Sequence, residues 1–151
     1  LANFVPPSVL RPRSVRRVMA PESEFRDDDA AAVAKTLMDK GVTVNIGAHG
    51  QREGLASHWE MWSFVRGGMS PMQALSAATI NPATYLGMDA DLGSIEAGKL
   101  ADLVVLTKNP LENIEYSDDV SHVMINGRFY RADTLAEQVT GDRPAPKLWW
   151  R

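Results

Sequence analysis

The run from Ser70 to Leu106, SPMQALSAATINPATYLGMDADLGSIEAGKLADLVVL, constrains the fold more than any other stretch of the chain. Ser70 precedes Pro71, with Gln73 three residues on. That combination supplies a capping hydroxyl, a proline where the helix needs no N–H, and a side chain able to reach back to the cap. Asn81-Pro82 repeats the cap-and-proline device for a short helix that Gly87 ends. Ala74, Leu75, Ala77 and Ala78 permit close packing against neighbouring elements. The chain then turns to β structure, with Gly93 to Glu96 and the apolar run Leu103 to Leu106 flanking the turn Ala97-Gly98-Lys99. A block of packed helices followed by antiparallel strands is the architecture this stretch predicts.

Size and composition bound what the whole can be. At 151 residues the chain can bury one domain core, whereas an ordinary (β/α)₈ barrel needs about 250 residues. The first residue is Leu1 rather than Met, which reads as a processed or cut chain. A net charge of -3 predicts a soluble protein without electrostatic bias toward nucleic acid or membrane. No apolar run approaches the roughly 18 residues of a membrane-spanning helix. With no cysteine there are neither disulfides nor thiolate metal sites.

Residues 1–29 read as a loop-rich connector, with Pro6, Pro7, Pro12 and Pro21, a basic run from Arg11 to Arg17, and acids at its end. Asp27 to Asp29 sit where a helix dipole favours negative charge. Ala30, Val33, Ala34, Leu37 and Met38 then share one helical face, and Gly41 closes the helix. Val42 to Gly47 reads as a strand, with Val42, Val44 and Ile46 on one side and Thr43 and Asn45 on the other. Continued extension carries His49 onto the Thr43, Asn45 side, just past the strand's C-terminal end. The loop from Gly47 to Gly54 adds Gln51 and Arg52 among three glycines. His58 and Glu60 open the next helix only two residues apart, so they point in different directions and suit shared coordination of one metal poorly.

Beyond Leu106, Val120 to Ile125 and Arg128 to Tyr130 flank Asn126-Gly127, a strong hairpin signal. His122, alone in the first of these strands, reads as packing rather than chemistry. The tail from about Ala132 carries a short helical pattern and ends in Trp149-Trp150-Arg151.

Residues Ala30 to Tyr130 resemble the C-terminal part of an amidohydrolase. The most specific mark is the run Leu92-Gly93-Ser94-Ile95-Glu96-Ala97-Gly98-Lys99-Leu100-Ala101-Asp102. The resemblance implies an α/β chain carrying the last strand and helices of a TIM barrel over residues 30–90. Strands of the flanking composite β-sandwich then follow over 91–131, and residues 132–151 form a C-terminal tail. It also implies that Asp102 belongs to a sandwich turn rather than to catalysis. The GAHGQ run followed by His58-Trp59-Glu60 is similar to a branch associated with the Tol biopolymer transport system, and more loosely to imidazolonepropionases and prolidases. That branch leans toward a periplasmic setting, with a cytoplasmic one the alternative.

The family usually ends its last barrel strand in Gly-Thr-Asp, the Asp binding metal and moving a proton; here Gly47-Ala48-His49 stands in that place. The resemblance therefore makes His49 the candidate catalytic residue and metal ligand, with Gln51 and Arg52 as substrate contacts. A neutral imidazole can bind Zn²⁺ or accept a proton near neutral pH, but cannot supply the charge of an Asp. The resemblance implies water activated by a divalent metal, zinc by preference in the intact parent, attacking an amide-like carbonyl of a small-molecule substrate. Three readings compete at this stage: part of a metal-dependent hydrolase of carbon–nitrogen (non-peptide) or dipeptide bonds, a binding or scaffold protein that keeps the fold without the chemistry, and a self-sufficient small domain. On the first reading the 151 residues alone are inactive, and exposed barrel and sandwich surfaces drive homo-oligomerisation or association.

Overall fold

The computed structural model describes residues 6–8, 20–48 and 54–142. After a 3₁₀ turn at Glu22–Glu24, four α-helices follow: α1 (Asp27–Asp39), α2 (Ala56–Arg66), α3 (Pro71–Ala78) and α4 (Ile80–Tyr85). Strands β1 (Leu103–Leu106), β2 (Val120–Ile125) and β3 (Arg128–Arg131) complete the order, with a second 3₁₀ turn, Ile114–Asp118, between β1 and β2.

Local chemistry explains the helix ends. Ser70 accepts the Gln73 N–H at 3.2 Å, and the Gln73 side chain accepts the Ser70 N–H at 2.9 Å, a reciprocal capping box. At the end of α1, Gly41 takes φ +84°. Its N–H donates to Met38 O, while the Val42 N–H donates to Leu37 O, so two carbonyls that the helix leaves open are satisfied. The same paired bonds close α2 through Gly68 and Met69, and α4 through Gly87 and Met88. The acids at the start of α1 find a cation across the interface: Arg66, at the end of α2, donates to Asp28 at 2.8 Å and Asp27 at 3.0 Å. These exposed pairs contribute at most about 1 kcal/mol each.

Helix α2 lies between α1 and α3 and also touches the 3₁₀ turn Ile114–Asp118. The core they enclose is built from Ala31, Met61, Phe64, Met69, Ala74, Ala77 and Ile114, with Val44 and Ile46 packed against it. Ala74 and Ala77 are fully buried, so the small side chains of α3 do what their size allows and let helices close up. The face that α1 presents differs from the one its periodicity suggests. Ala31 is buried, whereas Val33 and Leu37 remain 60% and 42% exposed. Ala34 and Met38 of the expected face do pack on the core, but the inward stripe runs through Ala31, Ala34 and Met38, rotated by about a sixth of a turn, where Gly67 lets α1 approach at Ala31.

The three strands form one antiparallel sheet in the order β1-β2-β3. Asn126 and Gly127 both take positive φ, +48° and +75°, the two-residue turn that matches strand twist. A register shift between Val105 and Leu106 leaves Ser121 as the extra residue, and its hydroxyl donates to Val105 O at 3.0 Å.

Four expectations are corrected. Residues 42–48 belong to neither helix nor sheet, since among the described residues no strand lies beside them to pair with. Gly93 to Glu96 forms no strand: the chain bends at Gly93 and Ser94, and Lys99 donates to Asp89 O at 2.5 Å and to Ser94 Oγ at 2.6 Å, folding the segment onto itself. Helix α4 starts at Ile80, ahead of Asn81, whose side chain is used elsewhere. Residues 132–142 contain no helix; there Glu137 bridges to Tyr130 beside the sheet.

Candidate functional site

Beyond the Val42 N–H, which closes α1, three hydrogen bonds among the described residues hold the segment that precedes His49. Asn81 Nδ2 donates to Val44 O at 2.9 Å, and the Ile46 N–H donates to Ala77 O at 2.9 Å. The Gly47 N–H donates to Glu60 Oε2 at 2.8 Å. Helices α3 and α4 therefore hold one flank of the segment and α2 holds its end. Among the described residues, Asn45 Oδ1 is buried without a hydrogen-bond partner. His49, Gln51 and Arg52, the three residues assigned to catalysis, metal and substrate, lie outside the described residues.

His58 and Glu60 do part company. While Glu60 turns to Gly47, His58 Nδ1 lies 3.1 Å from Ser117 Oγ, which also accepts the indole N–H of Trp62 at 3.0 Å. Ser117 is buried, and its hydroxyl proton satisfies the cluster when it points to an unprotonated His58 Nδ1. Burial pushes the His58 pKa below the usual histidine value, against a smaller opposing pull from Asp118. Nothing in the sequence signals this contact, because its partners are 59 residues apart.

That cluster yields a pH prediction. The unfolded chain takes up a proton on His58 near pH ~6.5, whereas the folded chain does so only at lower pH. Stability is therefore complete above about pH 6.5 and falls as pH drops below it. The melting temperature of wild type should decline between roughly pH 7 and 5.5 more steeply than that of His58→Gln; parallel curves would remove His58 as the cause.

The other conspicuous polar residues have structural partners. Asp102 Oδ1 accepts the Asn126 N–H at 2.6 Å, fastening the hairpin turn to the start of β1. His122 stacks on Phe129 at 4.6 Å between ring centres. The Glu137 carboxylate accepts from the Thr140 hydroxyl and from the N–H groups of Val139, Gly141 and Thr140, and the hydroxyl first, then these amides, hold its pKa below the usual value. Among the described residues, no group of three or more His, Asp or Glu could hold a metal ion. Each of these donors instead has a partner of its own: His58 lies against Ser117, His122 against Phe129, and Glu60 accepts from Gly47. The described residues therefore do not fit a complete metal site.

The Amidohydrolase family model matches residues 5–130. The chain belongs to the amidohydrolase family. Among its relatives, an imidazolonepropionase of Symbiobacterium thermophilum is 51% identical over 49 residues, covering 32% of this chain and 12% of that protein. An ochratoxinase of Aspergillus niger is 34% identical over 95 residues, covering 60% of this chain and 20% of the other. Among solved structures, a Xaa-Pro dipeptidase with bound methionine in its active site aligns at a TM-score of 0.65 and 27% identity. That alignment covers 83% of this chain and 32% of the dipeptidase. This amidohydrolase chain thus has the α/β arrangement of its structural neighbours, and spans no more than about a third of the length of these relatives.

Proposed function

We propose that the chain is the C-terminal part of a metal-dependent amidohydrolase that hydrolyses carbon–nitrogen or dipeptide bonds of a small-molecule substrate. The observation that carries this reading is segment 42–48. It packs Val44 and Ile46 on the helical core and is tied to three helices, yet among the described residues it has no strand beside it. A backbone of this kind fits the last strand of a TIM barrel whose neighbouring strand belongs to the rest of the protein. Residues 30–90 then form the barrel end, 91–131 the sandwich strands, 1–29 a connector and 132–151 a tail. His49 follows at the strand's C-terminal end, where such barrels keep their catalytic groups. It serves as base or as one ligand of a divalent metal, zinc by preference, whose other ligands come from the remainder of the protein. Gln51 and Arg52 contact substrate. The names of the imidazolonepropionase and Xaa-Pro dipeptidase relatives support a cyclic amide or a dipeptide as the substrate class. Exposed Val104, Ile125 and Ile95 support association through the sandwich surface.

A second reading, a binding or scaffold protein that has lost hydrolysis, is favoured by Gly47-Ala48-His49 standing where the family has Gly-Thr-Asp. Metal analysis of the complete protein, together with assays on dipeptides and cyclic amides, separates the two. The hydrolase reading expects bound metal and chelator-sensitive turnover in the complete protein and no turnover by the 151 residues alone. One tightly bound Zn²⁺ with hydrolysis by the short chain would overturn the division of the site between the two parts.

A further inference from the structure

We propose that Glu60 is a positioning residue for the candidate site. The proposal rests on the reading above, that the chain leaving Gly47 and Ala48 delivers a functional group. The Glu60 carboxylate accepts the Gly47 N–H across 13 residues of sequence, at 2.8 Å. This is the last of the three ties on the segment; the other two, at Val44 O and Ile46 N, come earlier along it. Among the described residues, removing it leaves the exit of the segment held from one flank only.

Packing does not call for a glutamate here. Glu60 is half-buried beside the core residues Met61 and Phe64, and an apolar side chain at this place would avoid burying part of a carboxylate. Among the described residues the Gly47 N–H is its hydrogen-bond partner. Nor does Gly47 approach Glu60 because steric crowding forces it: an added Cβ would meet only Glu60 Oε1, at 4.0 Å. A polar bond at the end of a segment, where a neutral packing contact would serve stability as well, is what a positioning role requires.

The test uses the complete protein, with amide hydrogen exchange at Gly47, steady-state kinetics and melting temperature read in parallel. Glu60→Leu should lose protection at Gly47 and lower kcat by about 10- to 100-fold, the scale for losing an outer partner of a functional group. KM and the melting temperature should stay near wild type. Glu60→Gln, which keeps an acceptor oxygen, should restore most of both losses, and Gly47→Ala, which keeps the N–H, should behave as wild type. Should Glu60→Leu not fold, Glu60→Ala carries the same comparison. Wild-type kcat with lost protection at Gly47, or retained protection in Glu60→Leu, overturns the proposal. A glutamine variant as impaired as the leucine one does so too. If Glu60→Leu behaves as expected while His49→Asn stays fully active, the His49 reading fails and the Glu60 assignment stands.

Discussion

Replacing His49 by alanine in the complete protein is expected to lower kcat about a hundredfold or more, the usual scale for a positioned acid–base group. On the proposed reading, His49 stands in sequence where the family has an Asp, two residues beyond Gly47, whose amide Glu60 holds. An imidazole there can take up a proton near neutral pH, as the family's Asp is expected to do. His49→Asn separates that role from a merely local one. Asparagine keeps hydrogen-bonding capacity but has no base near neutral pH, so it should be nearly as impaired as alanine. Melting temperatures of both variants should lie close to wild type. Full activity of His49→Asn with unchanged metal content would end the catalytic reading of this residue.

Local signals were legible where a feature is made by neighbours in sequence. The Ser70–Gln73 capping box, the glycine after α1 and the Asn126-Gly127 turn each depend on two to five consecutive residues, and all three form. The two-residue spacing of His58 and Glu60 correctly separates them, since a helix turns about 100° per residue. Features set by distant partners were not legible. Alternation of Val42, Val44 and Ile46 describes a strand, but a ladder needs a second strand, and none lies beside it among the described residues. Asn81-Pro82 carries a helix-start signal, yet the Asn81 amide is drawn to Val44 O, 37 residues away, and the helix begins at Ile80, two residues before Pro82. Gly93 to Glu96 reads as β structure flanking the Ala97-Gly98-Lys99 turn, but Lys99 gathers Ser94 Oγ and Asp89 O and folds the segment back. The face of α1 was displaced for a similar reason: which apolar stripe turns inward depends on the groove that Gly67 opens on the neighbouring helix.

The largest stability loss is expected at Gly93, because two independent requirements for glycine coincide there. Three positions dissect them. Gly67 has an ordinary φ of -74°, but a Cβ on it would lie 2.5 Å from the carbonyl carbon and Cβ of Ala31 and 2.7 Å from the Ala32 nitrogen. Backbone atoms of α1 cannot yield without moving the helix, so Gly67→Ala should cost about 1–3 kcal/mol through overpacking alone. Gly98 is the converse: its φ is +98° with nothing within 4 Å of an added Cβ, and Gly98→Ala should cost only about 1–2 kcal/mol of backbone strain. Gly93 combines a φ of +95° with an added Cβ 2.7 Å from Ala83 Cβ, 3.0 Å from Ile80 Cα and 3.2 Å from Thr79 O. Its site is the junction where helix α4 meets the bend that leads to the sheet. Gly93→Ala should therefore cost about 2–5 kcal/mol, a large share of the roughly 5–15 kcal/mol that holds a typical domain folded. Urea unfolding of the three alanine variants, read at constant m-value, gives the ranking directly. A Gly93→Ala variant no less stable than Gly98→Ala would mean that α4 can move away from the bend, and that the close approach is not what specifies glycine at this position.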